Sequence, residues 1–237
     1  MNLAARIETG PNADWQANGW ALIPGFLDDP ELASLRTEAE RLYRDRALFE
    51  QRGEVPNSNS RNDRLDPVID VSPAFAALAR NSHLLGLVGD ALGGEPKLMK
   101  DKFIAKPPGA AGYGAHQDAA YWPGLGVDAS RFLTAIIFLD DANAEKGAIE
   151  CVSGLHGQLL TDPDQIADPD EAALGDFTLI EAKAGDLLLL HSLTPHRSGT
   201  NRSGEMRRAL LFTYGVDPRP DLYAIYKQLQ KDLRRNG

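Results

Sequence analysis

From Lys97 onward the chain repeats one pattern: a short apolar or alternating run, a polar turn, then another run. Lys97 to Lys106, Phe132 to Leu139, Ala148 to Val152, Phe177 to Glu181, Asp186 to His191 and Arg208 to Tyr214 all have strand length. Between them stand turn signals: Asp140-Asp141-Ala142-Asn143, Ser153-Gly154, Ala184-Gly185-Asp186 and Ser198-Gly199-Thr200-Asn201. Many short strands with polar turns bury their apolar faces by closing on one another, so this part predicts a β-sandwich or barrel.

The residues ahead of it read as helices. Asn12 or Asp14 can cap a short helix ending near Asn18-Gly19, followed by a strand at Trp20-Ala21-Leu22-Ile23. Asp28 or Asp29, with Pro30 in the first turn, opens a helix running to about Phe49. Leu32, Leu35, Ala39, Leu42 and Tyr43 give it one apolar face. Ser72-Pro73 starts another, running to about Leu92 and ended by Gly93-Gly94. A last helix spans Asp221 to Arg235. Helices followed by strands predict an α+β fold, with N-terminal helices packed on one sheet and a C-terminal helix. The β part, about residues 95–216, is expected to be a double-stranded β-helix, a cupin-like jelly roll, in a chain forming a single domain over 1–237. The polar stretch from Gln51 to Pro67 is a loop, either a lid or a plain connector.

Charge and cysteine content narrow the function. A net charge of -9 excludes a general nucleic-acid surface, although Arg61, Arg64, Lys97, Lys100, Lys102 and Lys106 form a local basic group. With Cys151 alone there is no intrachain disulfide and no multi-cysteine metal site, which fits a reducing compartment. No apolar run reaches membrane length, and the first residues do not read as a signal peptide. A cytoplasmic protein acting on a small molecule, with neither nucleic acid nor membrane as partner, is expected.

The chemistry-bearing segment is His116-Gln117-Asp118. On an extended strand, residues i and i+2 project to the same side, so an imidazole and a carboxylate can reach one ion. With a second His from a distant strand they make the triad that holds non-haem Fe(II) with open positions. His196 and His191 both follow the apolar run from Leu187 and are the candidates, whereas His83 and His156 read as structural or solvated.

Several pieces, taken in order, resemble the phytanoyl-CoA dioxygenase family of Fe(II)/2-oxoglutarate-dependent oxygenases. They are Lys106-Pro107-Pro108-Gly109, His116-Gln117-Asp118 with Tyr121-Trp122, and Leu133 through Asp141. Gly147 to His156, Gly185-Asp186, His196 through Ser203 and Arg207 complete the set. The resemblance covers roughly residues 19–216. One departure is Ser153, where many relatives have Pro. The resemblance implies that His116, Asp118 and His196 are the iron ligands, which selects His196 over His191. It implies that Arg207 grips the distal carboxylate of 2-oxoglutarate, a task suited to a planar guanidinium fork. Thr134 is implied beside the co-substrate, Lys106 as a wall residue of its pocket, and Tyr121 and Trp122 as walls of the substrate pocket. The implied cofactors are Fe(II), 2-oxoglutarate and O2, the implied products succinate and CO2. Halogenating relatives typically carry Gly or Ala in place of the aspartate, so Asp118 points to hydroxylation or a related oxidation. On the residues of Arg207 to Tyr214, Arg207 shares a strand face with Ala209, Leu211 and Thr213, and Arg208 shares the other with Leu210, Phe212 and Tyr214. The alternatives from other classes are a non-catalytic jelly-roll protein binding a small molecule or sugar, and a cupin-like metal enzyme that does not use 2-oxoglutarate.

Overall fold

A computed structural model describes residues 11–52, 63–122, 125–160 and 168–236. Two antiparallel sheets face each other. The larger has six strands: β1 (Trp20–Ile23), β2 (Asp63–Leu65), β3 (Lys97–Lys106), β5 (Phe132–Phe138), β8 (Leu187–His191) and β10 (Arg207–Gly215). Their order across the sheet is β1-β8-β5-β10-β3-β2. The smaller sheet is made of β4 (Tyr113–His116), β9 (His196–Ser198), β6 (Ile149–Cys151) and β7 (Thr178–Ile180), in that order. This is the expected jelly roll with an α+β surround.

Strand alternation sorts the side chains of the large sheet into two populations. Phe103, Leu133, Ala135, Ile137, Leu187, Leu189, Leu210, Phe212 and Tyr214 pack outward against helices. Ile136, Phe138, Leu188, Leu190 and Ala209 turn inward, against Ile149, Cys151 and Ile180 of the small sheet. Each fully buried side chain of this size contributes about 1.5–3 kcal/mol. Two apolar layers therefore hold the large sheet, one on each face.

The outer layer rests on α2 (Asp29–Arg44), α4 (Pro73–Leu78) and α5 (Ser82–Leu92), through Leu32, Leu35, Ala39, Leu42, Phe75, Leu84 and Val88. Asp28 caps α2 in a reciprocal box: its carboxylate accepts from Glu31 N at 2.8 Å, and its own N–H donates to Glu31 Oε2 at 3.1 Å. Two helices expected to be continuous are each broken once. The first stops at Asp45, whose carboxylate accepts from Leu48 N (3.2 Å) as α3 (Arg46–Arg52) begins. The second stops before Asn81, whose side chain caps α5 through His83 N (2.9 Å) and Leu84 N (3.1 Å). The apolar spacing runs through both breaks, and the capping side chains override it.

α1 (Pro11–Asn18) precedes β1, and α7 (Leu222–Asn236) closes one end, where Leu222 and Tyr226 pack with Met99, Trp122 and Phe132. α6 (Asp168–Ala173) lies between β6 and β7, in an acidic stretch of the sequence from Asp162 to Gly175. Part of the stretch expected to be a loop, Asp63–Leu65, instead pairs with β3 as the edge strand β2. Residues 53–62 of that stretch, and with them most of the expected lid, lie outside the described residues. Among the described residues no helix is long and apolar enough to cross a membrane.

Candidate active site

β4 and β9 are paired so that His116 stands directly opposite His196, with a register shift between Tyr113 and His116. Such irregularities re-aim side chains next to functional sites. The two imidazoles lie 4.2 Å apart between ring centroids. Asp118 joins them although it is not on the strand: β4 ends at His116, Gln117 keeps an extended backbone, and Asp118 opens a short 3-10 turn, Asp118–Tyr121. The i, i+2 geometry survives because only Gln117 needs to be extended. Ligand atoms of His116, Asp118 and His196 all lie within 4.8 Å of one another.

The hydrogen bonds around the triad prepare it for a cation. His116 Nδ1 lies 2.8 Å from Gly114 O, and His196 Nδ1 lies 2.9 Å from Thr194 O. A carbonyl only accepts, so both Nδ1 atoms carry the proton and both Nε2 lone pairs are free for a metal. Burial, then the neighbouring His196, pushes the His116 pKa down to about 3, which keeps that ring neutral. Burial works against the Asp118 charge, but His196, Lys100, Lys102 and His116 together hold its carboxyl well below the usual range. Thr134 donates to Asp118 Oδ2 at 2.8 Å, so Thr213, 3.0 Å away, must be the donor to Thr134. Two neutral imidazoles and one ionised carboxylate, each steadied by an outer partner, form the donor set suited to Fe(II).

Gln117, between the ligands, points the opposite way and is fully buried. Its amide donates to Gln158 O (2.9 Å) and Leu193 O (2.5 Å), and its carbonyl accepts from Leu160 N (2.7 Å). His191 is arranged differently from the triad. Its Nδ1 accepts from Leu193 N (3.1 Å) and its Nε2 donates to Ser130 O (3.0 Å), so neither nitrogen is free, and Trp15 and His156 flank its ring.

The triad opens into a cavity of about 720 Å³, including its mouth, between the two sheets. Arg207, Ala209 and Leu211 line it, while Leu210, Phe212 and Tyr214 face the helices. Arg207 is buried; its Nη1 donates to Gly147 O (2.9 Å), and its Nε has no partner among the described residues. Burial lowers its pKa to about 10, which leaves it charged at neutral pH. Arg208 pairs outward with Asp140, with its Nε 2.8 Å from Oδ2, and with Glu40.

Lys106 lies opposite Arg207 across the β3–β10 pair. It does not line the cavity; its ammonium donates to the carbonyls of Gly199 and Gly147. Burial, then Arg207, lowers its pKa to about 7. Gly147 therefore carries both cations on one carbonyl, and its own backbone has φ 65°. A Cβ there would meet Gly199 O at 2.2 Å. Tyr121 stands edge-on to the His116 ring at 5.5 Å. Trp122 is buried in the cluster beneath α7 and is not part of the cavity wall. Thr213, Gln117 and Tyr113 belong to the site yet carry no sequence signal, because their roles depend on partners far along the chain.

A jelly roll that presents a His-Asp-His triad beside a buried, partly unsatisfied arginine defines a non-haem Fe(II) oxygenase of the 2-oxoglutarate-dependent class. Comparison with known proteins gives the same class, for the chain belongs to the phytanoyl-CoA dioxygenase (PhyH) family, whose model matches residues 15–209. It is 30% identical to the methylphosphonate hydroxylase of Gimesia maris over 221 residues, covering 90% of this chain and 82% of that protein. It is 28% identical to the 2-aminoethylphosphonate dioxygenase of an uncultured bacterium over 207 residues, covering 84% of this chain and 78% of the relative. Among solved structures, EctD from S. alaskensis with 2-oxoglutarate and 5-hydroxyectoine superposes with a TM-score of 0.79 at 20% identity, covering 94% of this chain and 85% of that one. At that identity the likeness is one of fold.

Proposed function

We propose that His116, Asp118 and His196 hold Fe(II), that Arg207 holds the distal carboxylate of 2-oxoglutarate, and that the chain oxidises a small polar organic molecule, most simply by hydroxylation. The observation that carries this reading is the matched pair of Nδ1–H···O=C bonds, which leaves both Nε2 lone pairs, with Asp118, converging within 4.8 Å. Iron, 2-oxoglutarate and O2, when bound, would supply the chemistry: one oxygen atom would go into succinate as the co-substrate loses CO2, and the other would be inserted into a C–H bond of the substrate.

The chain's own residues orient and exclude. Arg207 offers an unpaired Nε donor in a buried setting, where a bidentate carboxylate contact is strong. Ile136, Phe138, Ile149 and Leu190 give the cavity apolar walls that limit water. Thr134 and Thr213 hold Asp118 in one orientation. Asp118 fills the position that must be small for a halide to bind, which favours oxygen insertion. Lys106 acts from behind, fixing the Gly147 carbonyl against which Arg207 is braced. Similarity to enzymes that by name act on methylphosphonate, 2-aminoethylphosphonate, L-proline and ectoine supports a small polar substrate. The test is anaerobic reconstitution with Fe(II), then addition of 2-oxoglutarate and O2. About one iron per chain and slow succinate release are expected, and a jelly-roll binding protein would give neither.

A further inference from the structure

The cavity has a second cationic wall, away from Arg207, that the co-substrate does not need. In the β3–β10 register Lys106 stands beside Arg207, and Lys102 stands beside Leu211. Those two levels are four residues apart, about 13 Å at roughly 3.3 Å per residue. β2 adds Arg64, which pairs with Ile104 between the two levels. Arg64 and Lys102 both line the cavity that contains His116 and Asp118. Among the described residues neither makes an ion pair, whereas Arg197, Arg208 and Arg219 are each matched by a carboxylate. Lys100 adds a third cation on the same strand face, over the Tyr226 ring. Burial, then the neighbouring Lys100 and Arg64, pushes the Lys102 pKa well below its ordinary value, against the pull of Asp66 and of Asp118, which is committed to the triad, so an anion set between these groups would restore the charge they crowd. Unmatched cations in a cleft with apolar walls attract and hold an anion.

We propose that Arg64 and Lys102 bind the anionic head of the primary substrate, a small aliphatic phosphonate or carboxylate, and so present its carbon chain to the triad. This rests on the oxygenase reading above, in which Arg207 already serves the other anion. Two separated cationic poles then receive two different anions, and neither ligand competes for the other's place. A forked guanidinium with a rotatable ammonium suits a three-oxygen phosphonate head better than a planar carboxylate, which one arginine satisfies.

The experiment is calorimetric titration of the anaerobic Fe(II)- and 2-oxoglutarate-loaded protein with methylphosphonate, with acetate, and with methylammonium as the cationic control. Methylphosphonate should bind with 2-oxoglutarate in place, and Arg64→Gln and Lys102→Gln should each weaken it about tenfold or more. Both variants should keep their 2-oxoglutarate affinity within about twofold, which also shows that they are folded. Tighter binding of acetate, with the same dependence on Arg64 and Lys102, assigns the pole to a carboxylate head. Three results overturn the proposal: neither anion binds better than methylammonium, the variants bind like the parent, or 2-oxoglutarate displaces methylphosphonate. Failure of 2-oxoglutarate itself to bind would instead bring down the oxygenase reading, and this inference with it.

Discussion

The two sheets meet at the site but are held in different ways. The six-stranded sheet has strands of up to ten residues, covered by helices on one face and by the small sheet on the other. Register alone aims its side chains, as the segregation of Arg207 from Arg208 shows. The four-stranded sheet has strands of three or four residues and a register shift beside His116. It supplies both imidazoles, and it aims them with hydrogen bonds to carbonyls two residues back rather than with a long ladder. The proposed metal position is thus set by local bonds on a short-stranded wall, and the proposed co-substrate position by packing on the long-stranded one.

Breaking the short-stranded wall should have the largest effect. His196→Ala should abolish stoichiometric Fe(II) binding, a greater loss than the roughly 10–100-fold typical of outer-sphere changes, while His191→Ala should leave the iron content intact. Metal analysis of both variants decides this, and the reverse ranking would undo the ligand assignment. On the long-stranded wall, Arg207→Ala should raise the 2-oxoglutarate KM about a hundredfold with iron retained, and Arg208→Ala should change it little. Steady-state succinate formation at matched iron loading measures the pair. Thr134→Val crosses between the sheets. It removes the bond to Asp118 Oδ2 and should cost about tenfold in Fe(II) affinity, read by competition with a chelator.

The smallest effect concerns protons. In the folded, metal-free protein His116 resists protonation down to about pH 3, whereas an unfolded histidine takes its proton near 6.5. Between those values the unfolded chain binds more protons, so stability should fall as pH drops from about 6.5 toward 3. Denaturant unfolding of the metal-free protein should show this slope, and His116→Phe should reduce it.

The long strands were legible because periodicity and burial coincide there. Ala209, Leu211 and Thr213 beside Arg207 are smaller than Leu210, Phe212 and Tyr214 beside Arg208, which favoured the Arg207 face for a ligand, but both faces carry apolar residues and the family resemblance was needed to choose Arg207. The helix breaks at Asp45 and Asn81 were not legible, because the apolar stripe continues across them and only the side-chain caps reveal the stop. The spacing of His116 and Asp118 was visible, although a lone His-x-Asp is a weak signal and the family resemblance gave it weight. Gln117, between them, could not be found, since its three partners lie 41 to 76 residues away. The basic group ahead of His116 was visible as composition, but only the pairing of β2 with β3 brings Arg64 to the cavity beside Lys102. Trp122 shows the converse: the family resemblance implied a pocket wall, and the short turn sends it instead beneath α7.

Gly147 has a bearing on redesign. Its left-handed backbone and the carbonyl of Gly199 leave no room for a Cβ, while its own carbonyl braces Arg207 and Lys106. In a saturation library, position 147 should therefore accept a single letter. A screen that counted folded protein alone would underrate it, because a displaced brace misaims the guanidinium well before it unmakes either sheet. Libraries meant to widen substrate scope do better to leave this turn alone and spend their diversity on the edge strand at the far end of the cavity.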